Sequence, residues 1–293
     1  MGTGSHRRRE HVLTGGLGGV VRRGVVVLAA LGRQFEPSLW RGEALAQGQR
    51  LLTGRRVGVV GGRDHESVPP RRFSSRCGQP PLWLRLGTGD AAVWGEVNVR
   101  GVYASPWPIP DGVRVLDLGG HAGYFARWAL SSWPLSEILS VEPDEANAEL
   151  LALNAAALAD GRWRYVRAAA ATAAGSASFA GGRGSGSKLG SGGEDTVETI
   201  DALPLLGGCD FAKIDIEGGE WALLDDARFR DCCPPMLVVE YHASDEITDA
   251  ATEARRRLED CGYVVSDGHG EELPGVGVLW ARKNVAGAHD ERT

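Results

Sequence analysis

Acidic side chains follow several predicted β-strands of this sequence at the point where each strand ends. They are Asp117 in VLDLGGHAG, Glu142 in EILSVEP, Asp215 and Glu217 in FAKIDIE, and Glu240 in MLVVEYH. Parallel strands that alternate with helices bring their carboxyl ends to one edge of a sheet, and ligands bind at that edge. The sequence therefore predicts an acidic ligand site there.

The glycine turn of VLDLGGHAG does not carry a phosphate-binding pattern. A dinucleotide site uses G-x-G-x-x-G and a helix N-terminus to hold a pyrophosphate, and the spacing from Gly119 fails at His121. Asp117 would also repel phosphate charges a few ångströms away. Since Gly119, Gly120 and Gly123 let the backbone approach a ligand closely, the turn suits a nucleoside that carries positive charge.

S-adenosylmethionine is such a nucleoside, because its sulfonium and its amino group are both cationic. Glu142 follows Asp117 by 25 residues, and an acid at this place in related sheets accepts the ribose hydroxyls. We assign Asp117, Glu142 and the turn residues to this cofactor, with His121 ordering the turn. The alternative is structural: Asp117 caps the following helix, and Glu142 only precedes a proline turn.

A second group of residues has the chemistry of the reacting side. Lys213, Asp215 and Glu217 alternate along one predicted strand, so their side chains share a face. We expect Asp215 to contact the cofactor or the acceptor, and Glu217 to act as a base or a metal ligand. His242 shares a face with Glu240 and is a further candidate base, since histidine titrates near neutral pH.

The same residues have structural interpretations. Lys213 and the carboxylates can form a buried ion pair, Glu217 can cap the next helix, and His242 can be a structural histidine. Clustered acids also bind Mg²⁺, which takes one or two carboxylates and keeps its waters. We favour methyl transfer without a metal.

Alternation of strands and helices from 113 to 261 predicts a mostly parallel sheet with helices on both faces. The predicted strands are 82–86, 113–118, 137–143, 163–170, 211–217 and 236–242, with a closing hairpin of 263–266 and 275–282. The predicted helices are 42–56, 90–102, 122–131, 145–159, 221–227 and 247–261. Residues 67–81 and the Gly/Ser stretch 180–193 are predicted loops, and the second is a candidate lid.

Charge divides the chain into an N-terminal extension (1–80) and a domain (81–293). The extension has 14 Arg and 5 acidic residues, whereas the remainder has 18 basic and 33 acidic residues. The extension is predicted to be partly disordered or helical, and VGVVGG within it lacks a nucleotide fingerprint. No apolar run reaches the ~20 residues that span a bilayer. Five cysteines without framework spacing indicate reduced thiols and a cytoplasmic protein.

The order of motifs resembles that of the FkbM-family S-adenosylmethionine-dependent methyltransferases. VLDLGGHAGYF, SVEPDEANAELLALN, TIDALPLL, FAKIDIEGGEWALL and MLVVEYH carry the resemblance, and KIDIEGGE is its most specific part. It implies a Rossmann-like class I methyltransferase fold and O-methylation of a sugar or secondary-metabolite scaffold. Many methyltransferases place an acid or Ser after the third strand to contact the adenine. Here AAAATAAGS leaves that contact to backbone groups, as at Ala169, or to Ser176.

Two other functions have different requirements. A nucleic-acid methyltransferase or RNA binder would use the basic extension, and its affinity would fall steeply with salt. The acidic remainder of the chain argues against this interpretation. A dehydrogenase would need the dinucleotide fingerprint, which the sequence lacks. A methyltransferase acting on a hydroxyl of a small molecule is therefore the leading hypothesis.

Overall fold

The computed structural model describes residues 26–52, 68–134, 136–180, 188–189, 195–268 and 275–284. Its helices are α1 (26–34), α2 (Pro37–Leu52), α3 (Asp90–Gly95), α4 (Tyr124–Ser132), α5 (Glu145–Leu158), α6 (Leu203–Gly207), α7 (Glu220–Asp225), α8 (Phe229–Cys232) and α9 (Ala250–Asp260). Its strands are β1 (Arg71–Phe73), β2 (Leu82–Leu84), β3 (Arg114–Leu118), β4 (Glu137–Val141), β5 (Trp163–Val166), β6 (Ala169–Ala171), β7 (Gly175–Ala180), β8 (Lys188–Leu189), β9 (Asp195–Asp201), β10 (Phe211–Ile214), β11 (Met236–His242), β12 (Tyr263–Asp267) and β13 (Val276–Lys283).

Seven of these strands form one twisted sheet in the order β5–β4–β3–β10–β11–β13–β12. The first five are parallel, and β13 lies antiparallel between β11 and β12. Strand order reverses between β3 and β10, where the carboxyl ends of neighbouring strands leave a crevice for ligands. This topology is that of class I methyltransferases and confirms the predicted fold, including the closing antiparallel pair.

Two hydrophobic clusters cover the two faces of the sheet. On β3, Val115 belongs to the cluster that contains Leu150 of α5, whereas Leu116 belongs to the cluster that contains Leu258 of α9. Neighbouring strand residues point to opposite faces, so a continuous apolar strand supplies both clusters. Each fully buried side chain of this size contributes about 1.5–3 kcal/mol.

The N-terminal segment packs into the first of these clusters. Leu31 of α1 and Leu39 of α2 are fully buried there together with Trp94 of α3. The Phe35 ring meets the Trp94 ring edge-on at 5.9 Å. Among the described residues, the hydrophobic core is continuous across residue 80, where the sequence analysis placed a domain boundary.

The region after β5 differs from the prediction. The strand predicted over 163–170 is two strands, because the chain leaves the central sheet after Val166 and β6 pairs with β9 instead. β6, β9, β7 and β8 form a second, four-stranded sheet. The prediction was wrong here because small residues such as those of β6 and β7 give no hydrophobic alternation. Lys188 and Leu189 of β8 belong to the predicted Gly/Ser loop 180–193, and most of the rest of that stretch is outside the described residues.

Other predicted elements are shifted or interrupted. The predicted loop 67–81 contains β1, which pairs with β2 and buries Phe73. The predicted helix 90–102 is α3 followed by a π-helical turn (Glu96–Arg100). The predicted helix 42–56 is observed as α2 up to Leu52, and residues 53–60 are outside the described part. In the described ranges no helix is long and apolar enough to cross a membrane.

Candidate active site

The glycine turn joins the carboxyl ends of β3, β4 and β10. Gly119 has φ of 82°, and a Cβ there would lie 1.7 Å from the carbonyl oxygen of Asp215, so only glycine fits. The backbone N–H groups of Gly119 and Gly120 both donate to the carbonyl of Val141, at 3.0 and 2.9 Å. These two amides are used within the fold, which agrees with the absence of a phosphate fingerprint.

Glu142 lies directly after β4 and holds the same turn through its carboxylate. One oxygen accepts the backbone N–H of His121 (2.8 Å), and the other accepts that of Asp144 (3.0 Å). His121 has φ of 47°, so the turn bends towards this carboxylate. Burial raises the pKa of Glu142 to about 7, although the two backbone donors oppose the shift. The Glu142 carboxylate and the glycine turn are therefore joined directly by a hydrogen bond.

A chain of hydrogen bonds links Glu142 through Asn147 to Arg85, which lies between β2 and α3. Asp144 caps α5 by accepting the N–H of Asn147, whose amide group donates to Glu142 at 3.4 Å. The buried guanidinium of Arg85 donates to Asn147 Oδ1 and forms an ion pair with Asp90, both at 2.8 Å. Because Arg85 occupies the amide oxygen, the NH₂ group of Asn147 faces Glu142.

Asp117 is located below the turn rather than at its surface. Its side chain is 0% exposed, accepts the Ser140 hydroxyl at 2.8 Å, and lies 3.3 Å from the Lys213 ammonium. Lys213 pairs with Asp215 at the same distance and donates to the carbonyl of Gly119 at 2.9 Å. The buried ion pair considered in the sequence analysis exists, and it links the glycine turn to Asp215.

The reacting side surrounds the hydroxyl of Tyr103. This hydroxyl lies 2.9 Å from Asp215 Oδ2 and 3.1 Å from Glu240 Oε2. Burial opposes ionisation of Asp215, but Lys213, His242 and Tyr103 lower its pKa below the ordinary value. Burial and the charge of Asp215 raise the pKa of Glu240 to about 8. The two carboxylates therefore differ in protonation at neutral pH.

Glu217 does not continue β10, as the predicted strand over 211–217 required, because the strand ends at Ile214. Glu217 has φ of 55°, an uncommon conformation for a residue with a side chain. Its carboxylate lies 3.5 Å from His242 Nε2 and is 28% exposed. Burial and the charge of Asp215 raise its pKa to about 8. Glu217 is thus a partly open carboxylate beside an imidazole.

His242 is fixed by the buried carboxylate of Glu220 at the start of α7. Glu220 Oε1 contacts both the backbone N–H and Nδ1 of His242, each at 2.9 Å. Burial opposes the imidazolium form, but Glu220, Glu217 and Asp215 raise the pKa of His242 to about 10. His242 is therefore charged at neutral pH, which corrects the expectation that it accepts a proton there.

The predicted adenine contacts lie in the second sheet. Ala169 is buried in β6, one residue after Ala168, whose N–H donates to the backbone carbonyl of Glu142 at 3.2 Å. Ser176 is exposed in β7 opposite Glu198. The backbone near Ala169 is thus joined to the cofactor side, and Ser176 has no described contact with it.

The residues do not fit Mg²⁺. Asp215, Glu240 and His242 each place one polar atom within 4.8 Å of the others. Mg²⁺ prefers oxygen ligands and an octahedral shell, whereas this group contains an imidazolium and is already neutralised by Lys213. We derive no step through a metal.

Residues 117–265 match the model of the methyltransferase FkbM domain, which is about half of the chain. The chain belongs to the FkbM methyltransferase family. It is therefore an S-adenosylmethionine-dependent methyltransferase. No curated protein sequence matches it.

This FkbM methyltransferase is similar to several solved structures. The FkbM methyltransferase from Methylobacillus flagellatus KT is 15% identical over 90% of this chain and 60% of its own, with a TM-score of 0.47. Precorrin-6y C5,15-methyltransferase from Geobacter metallireducens GS-15 is 17% identical over 60% of this chain and 82% of its own (TM-score 0.39). Aeropyrum pernix fibrillarin with bound S-adenosyl-L-methionine is 14% identical over 64% and 76%, respectively (TM-score 0.41).

Two site residues of this FkbM methyltransferase precede the matched domain. Tyr103 contacts the reacting carboxylates, and Arg85 supports Glu142 through Asn147. Sequence reasoning missed both, and it did not identify Glu220 as the partner of His242. An isolated Tyr or Arg gives no pattern, because its partners are far away in the sequence.

Proposed function

We propose that this methyltransferase acts on a hydroxyl group of a small molecule, such as a sugar or a secondary-metabolite scaffold. The observation that supports this proposal is the position of Glu217, a partly exposed carboxylate three residues after the end of β10 and 3.5 Å from the His242 imidazolium. A hydroxyl must lose its proton when it is methylated, and a carboxylate at the strand end is a suitable base.

The cofactor is proposed to lie along the turn between β3 and β4. Glu142 accepts the ribose hydroxyls, and Gly119, Gly120 and Gly123 allow close contact of the backbone, with His121 holding the turn to Glu142. The backbone near Ala169 contacts the adenine. Asp117 is buried, so its role is to hold Lys213 and thereby the turn from below.

The proposed reaction is an in-line displacement at the methyl carbon. The acceptor oxygen forms a bond to this carbon while the carbon–sulfur bond breaks, and S-adenosylhomocysteine leaves with a neutral sulfur. The acceptor proton passes to Glu217, whose carboxylate the His242 imidazolium orients. Asp215 aligns the acceptor, and alignment alone can supply several kcal/mol of the barrier.

The cluster of carboxylates also favours an acceptor without phosphate groups. Asp215, Glu217, Glu220 and Glu240 lie around His242. The two cations of the cluster, Lys213 and His242, are already paired with carboxylates, so they are not available to a phosphate group. We therefore propose a neutral or cationic small molecule rather than RNA or DNA.

We also propose that the enzyme acts in the cytoplasm. All five cysteines are unpaired, and Cys77 is exposed. Oxidising compartments favour disulfides, whereas reducing compartments keep thiols free. Secretion of an active, disulfide-bonded form would contradict this proposal.

Replacement of Glu217 by Gln tests the base. Because the pKa of Glu217 is about 8, its basic form accumulates as the pH rises, and wild-type kcat is expected to rise through about pH 8. Glu217→Gln is expected to remove this rise and to lower kcat by about 10²–10⁴-fold. The assay follows transfer of a labelled methyl group from S-adenosylmethionine to pools of sugars and secondary metabolites.

The matched control is Glu137→Gln, which removes an exposed acid at the amino end of β4. It should leave the rate and its pH dependence unchanged. Calorimetry with S-adenosylmethionine and with NAD tests the cofactor separately. Wild-type kcat in Glu217→Gln, or labelling of RNA but of no small molecule, would refute the proposal.

A further inference from the structure

The Tyr103 hydroxyl lies between two carboxylates at hydrogen-bond distance from both. The oxygen is 2.9 Å from Asp215 Oδ2 and 3.1 Å from Glu240 Oε2, and the side chain is buried. Tyr103 follows the π-helical turn and precedes the matched family domain, which begins at residue 117. Its ring is fixed edge-on against Phe125 at 5.2 Å.

This arrangement contains one proton too few if both carboxylates are ionised. A phenolic hydroxyl has one proton to donate, and an ionised carboxylate can only accept. Two hydrogen bonds at these distances therefore require a second proton, and it must be on one of the two carboxyl groups.

The surrounding charges decide which carboxyl group carries that proton. The Lys213 ammonium is 3.3 Å from Asp215 Oδ2, so it stabilises the ionised form of Asp215. Among the described residues, the cationic atom nearest to the Glu240 carboxyl group is His242 Nε2, 3.9 Å from Oε1. Burial raises the pKa of Glu240 to about 8 and thus favours its neutral form. The other ionisable groups that act on this pair are Glu96 and Glu217.

We propose that Tyr103 is a positioning residue that donates its proton to ionised Asp215 and accepts the proton of neutral Glu240. The pair would then carry one negative charge instead of two. The segment before the family domain would thus complete the reacting side, because Tyr103 is at hydrogen-bond distance from both carboxyl groups.

The catalytic meaning of this arrangement rests on the proposed function. Glu240 holds its proton in the hydrogen bond to Tyr103, whereas Glu217 lies outside this bridge and is partly exposed. Glu217 is therefore left as the base in its ionised form, and Asp215 keeps its charge and its orientation. Loss of the bridge would remove a donor from Asp215 and an acceptor from Glu240 at once.

Infrared spectroscopy of the whole protein at pH 7 tests the proposal without an acceptor. The difference spectrum between the wild type and Glu240→Gln should contain the carbonyl band of one buried carboxylic acid, whereas the bands of the other acids with raised pKa, Glu142 and Glu217, cancel. Tyr103→Phe keeps the ring and should shift or remove the band. The control Tyr263→Phe removes another buried hydroxyl, which donates to the carbonyl of Pro234 at 2.5 Å, and should leave the band unchanged.

Two results would overturn the proposal: no carbonyl band in the difference spectrum between the wild type and Glu240→Gln, or the same Glu240 band in Tyr103→Phe as in the wild type. Either difference spectrum remains decisive if the other variant does not fold. The proposed function fails by different results, in calorimetry with S-adenosylmethionine and in methyl transfer to small molecules, so the two failures can be told apart.

Discussion

The two sides of the site satisfy their carboxylates in different ways. On the cofactor side, Glu142 receives backbone N–H groups from its own strand end and from the neighbouring turn. On the reacting side, Asp215 receives the side chains of Lys213 and Tyr103. Backbone donors keep their protons at any physiological pH, whereas ionisable partners make each other's charge state interdependent. The first side thus contains one carboxylate with fixed donors, and the second is a cluster of ionisable groups whose protonation states are coupled.

This difference predicts where stability is most vulnerable. Lys213→Met leaves the buried Asp117 and the half-buried Asp215 without their cation, and removal of one partner of a buried pair costs about 3–5 kcal/mol. We expect this loss in the free energy of unfolding, measured with denaturant at pH 7. The added substitution Asp117→Asn should restore part of it.

The control for Lys213 lies on the same two strands at the opposite end of the sheet. Arg114 of β3 pairs with Asp210, just before β10, but this pair is exposed. Exposed pairs contribute little, so Arg114→Met should leave the unfolding midpoint unchanged. Equal losses in the two variants would show that burial does not distinguish the pairs.

A smaller effect is expected on the cofactor side. The ribose hydroxyls donate to the ionised carboxylate, and the pKa of Glu142 is about 7, so affinity for S-adenosylmethionine should fall as the pH drops from 8 to 6. Glu142→Gln should weaken binding ten- to a hundredfold at pH 8, about 1.4–2.7 kcal/mol, and should remove the pH dependence. Calorimetry measures both.

Glu145→Gln is the matched control for Glu142, because Glu145 is an exposed acid three residues later in the chain. It should bind the cofactor like the wild type.

The raised pKa of Glu142 also makes the free energy of unfolding depend on pH. Folding favours the neutral carboxyl group, so its contribution to stability is complete below about pH 4.5 and is lost as the pH rises through about 7. Unchanged affinity in Glu142→Gln would make this carboxylate purely structural.

The smallest effect on affinity is expected for Asn147, which contacts Glu142 rather than the cofactor. Asn147→Ala removes the amide that donates to Glu142 at 3.4 Å, and a hydrogen bond to a charged group that is this long should be weak. We expect a three- to tenfold loss of affinity for S-adenosylmethionine in calorimetry. Asn98→Ala, which removes an amide bonded to the carbonyl of Trp94, should have no effect. A loss as large as that of Glu142→Gln would mean that Asn147 itself contacts the cofactor.

The cofactor side could be predicted from the sequence because its parts are close together in the chain. The apolar runs of β3 and β4 are easily recognised, and Gly119, His121 and Glu142 come directly after them. The order of the motifs then indicated the sheet. The confirmed fold follows from the same local patterns of strands and helices.

The reacting side could be predicted only in part, because its partners come from distant segments. Asp215, Glu217 and His242 were named from strand ends, but their charges depend on Tyr103, which precedes Asp215 by 112 residues and Glu240 by 137. The protonated state of His242 depends on Glu220, whose side chain was assigned no partner. A strand pattern gives the face of a side chain but not the ionisable groups that surround it.

The antiparallel strand β13 has a consequence for how the site is made during synthesis. β11 carries Glu240 and His242, and its outer neighbour β13 is the last described strand of the chain. Until the ribosome has added β13, one side of β11 has free N–H and C=O groups, which are open to pairing with other chains. The strand that holds Glu240 and His242 is therefore among the last strands of the central sheet to gain both of its neighbours.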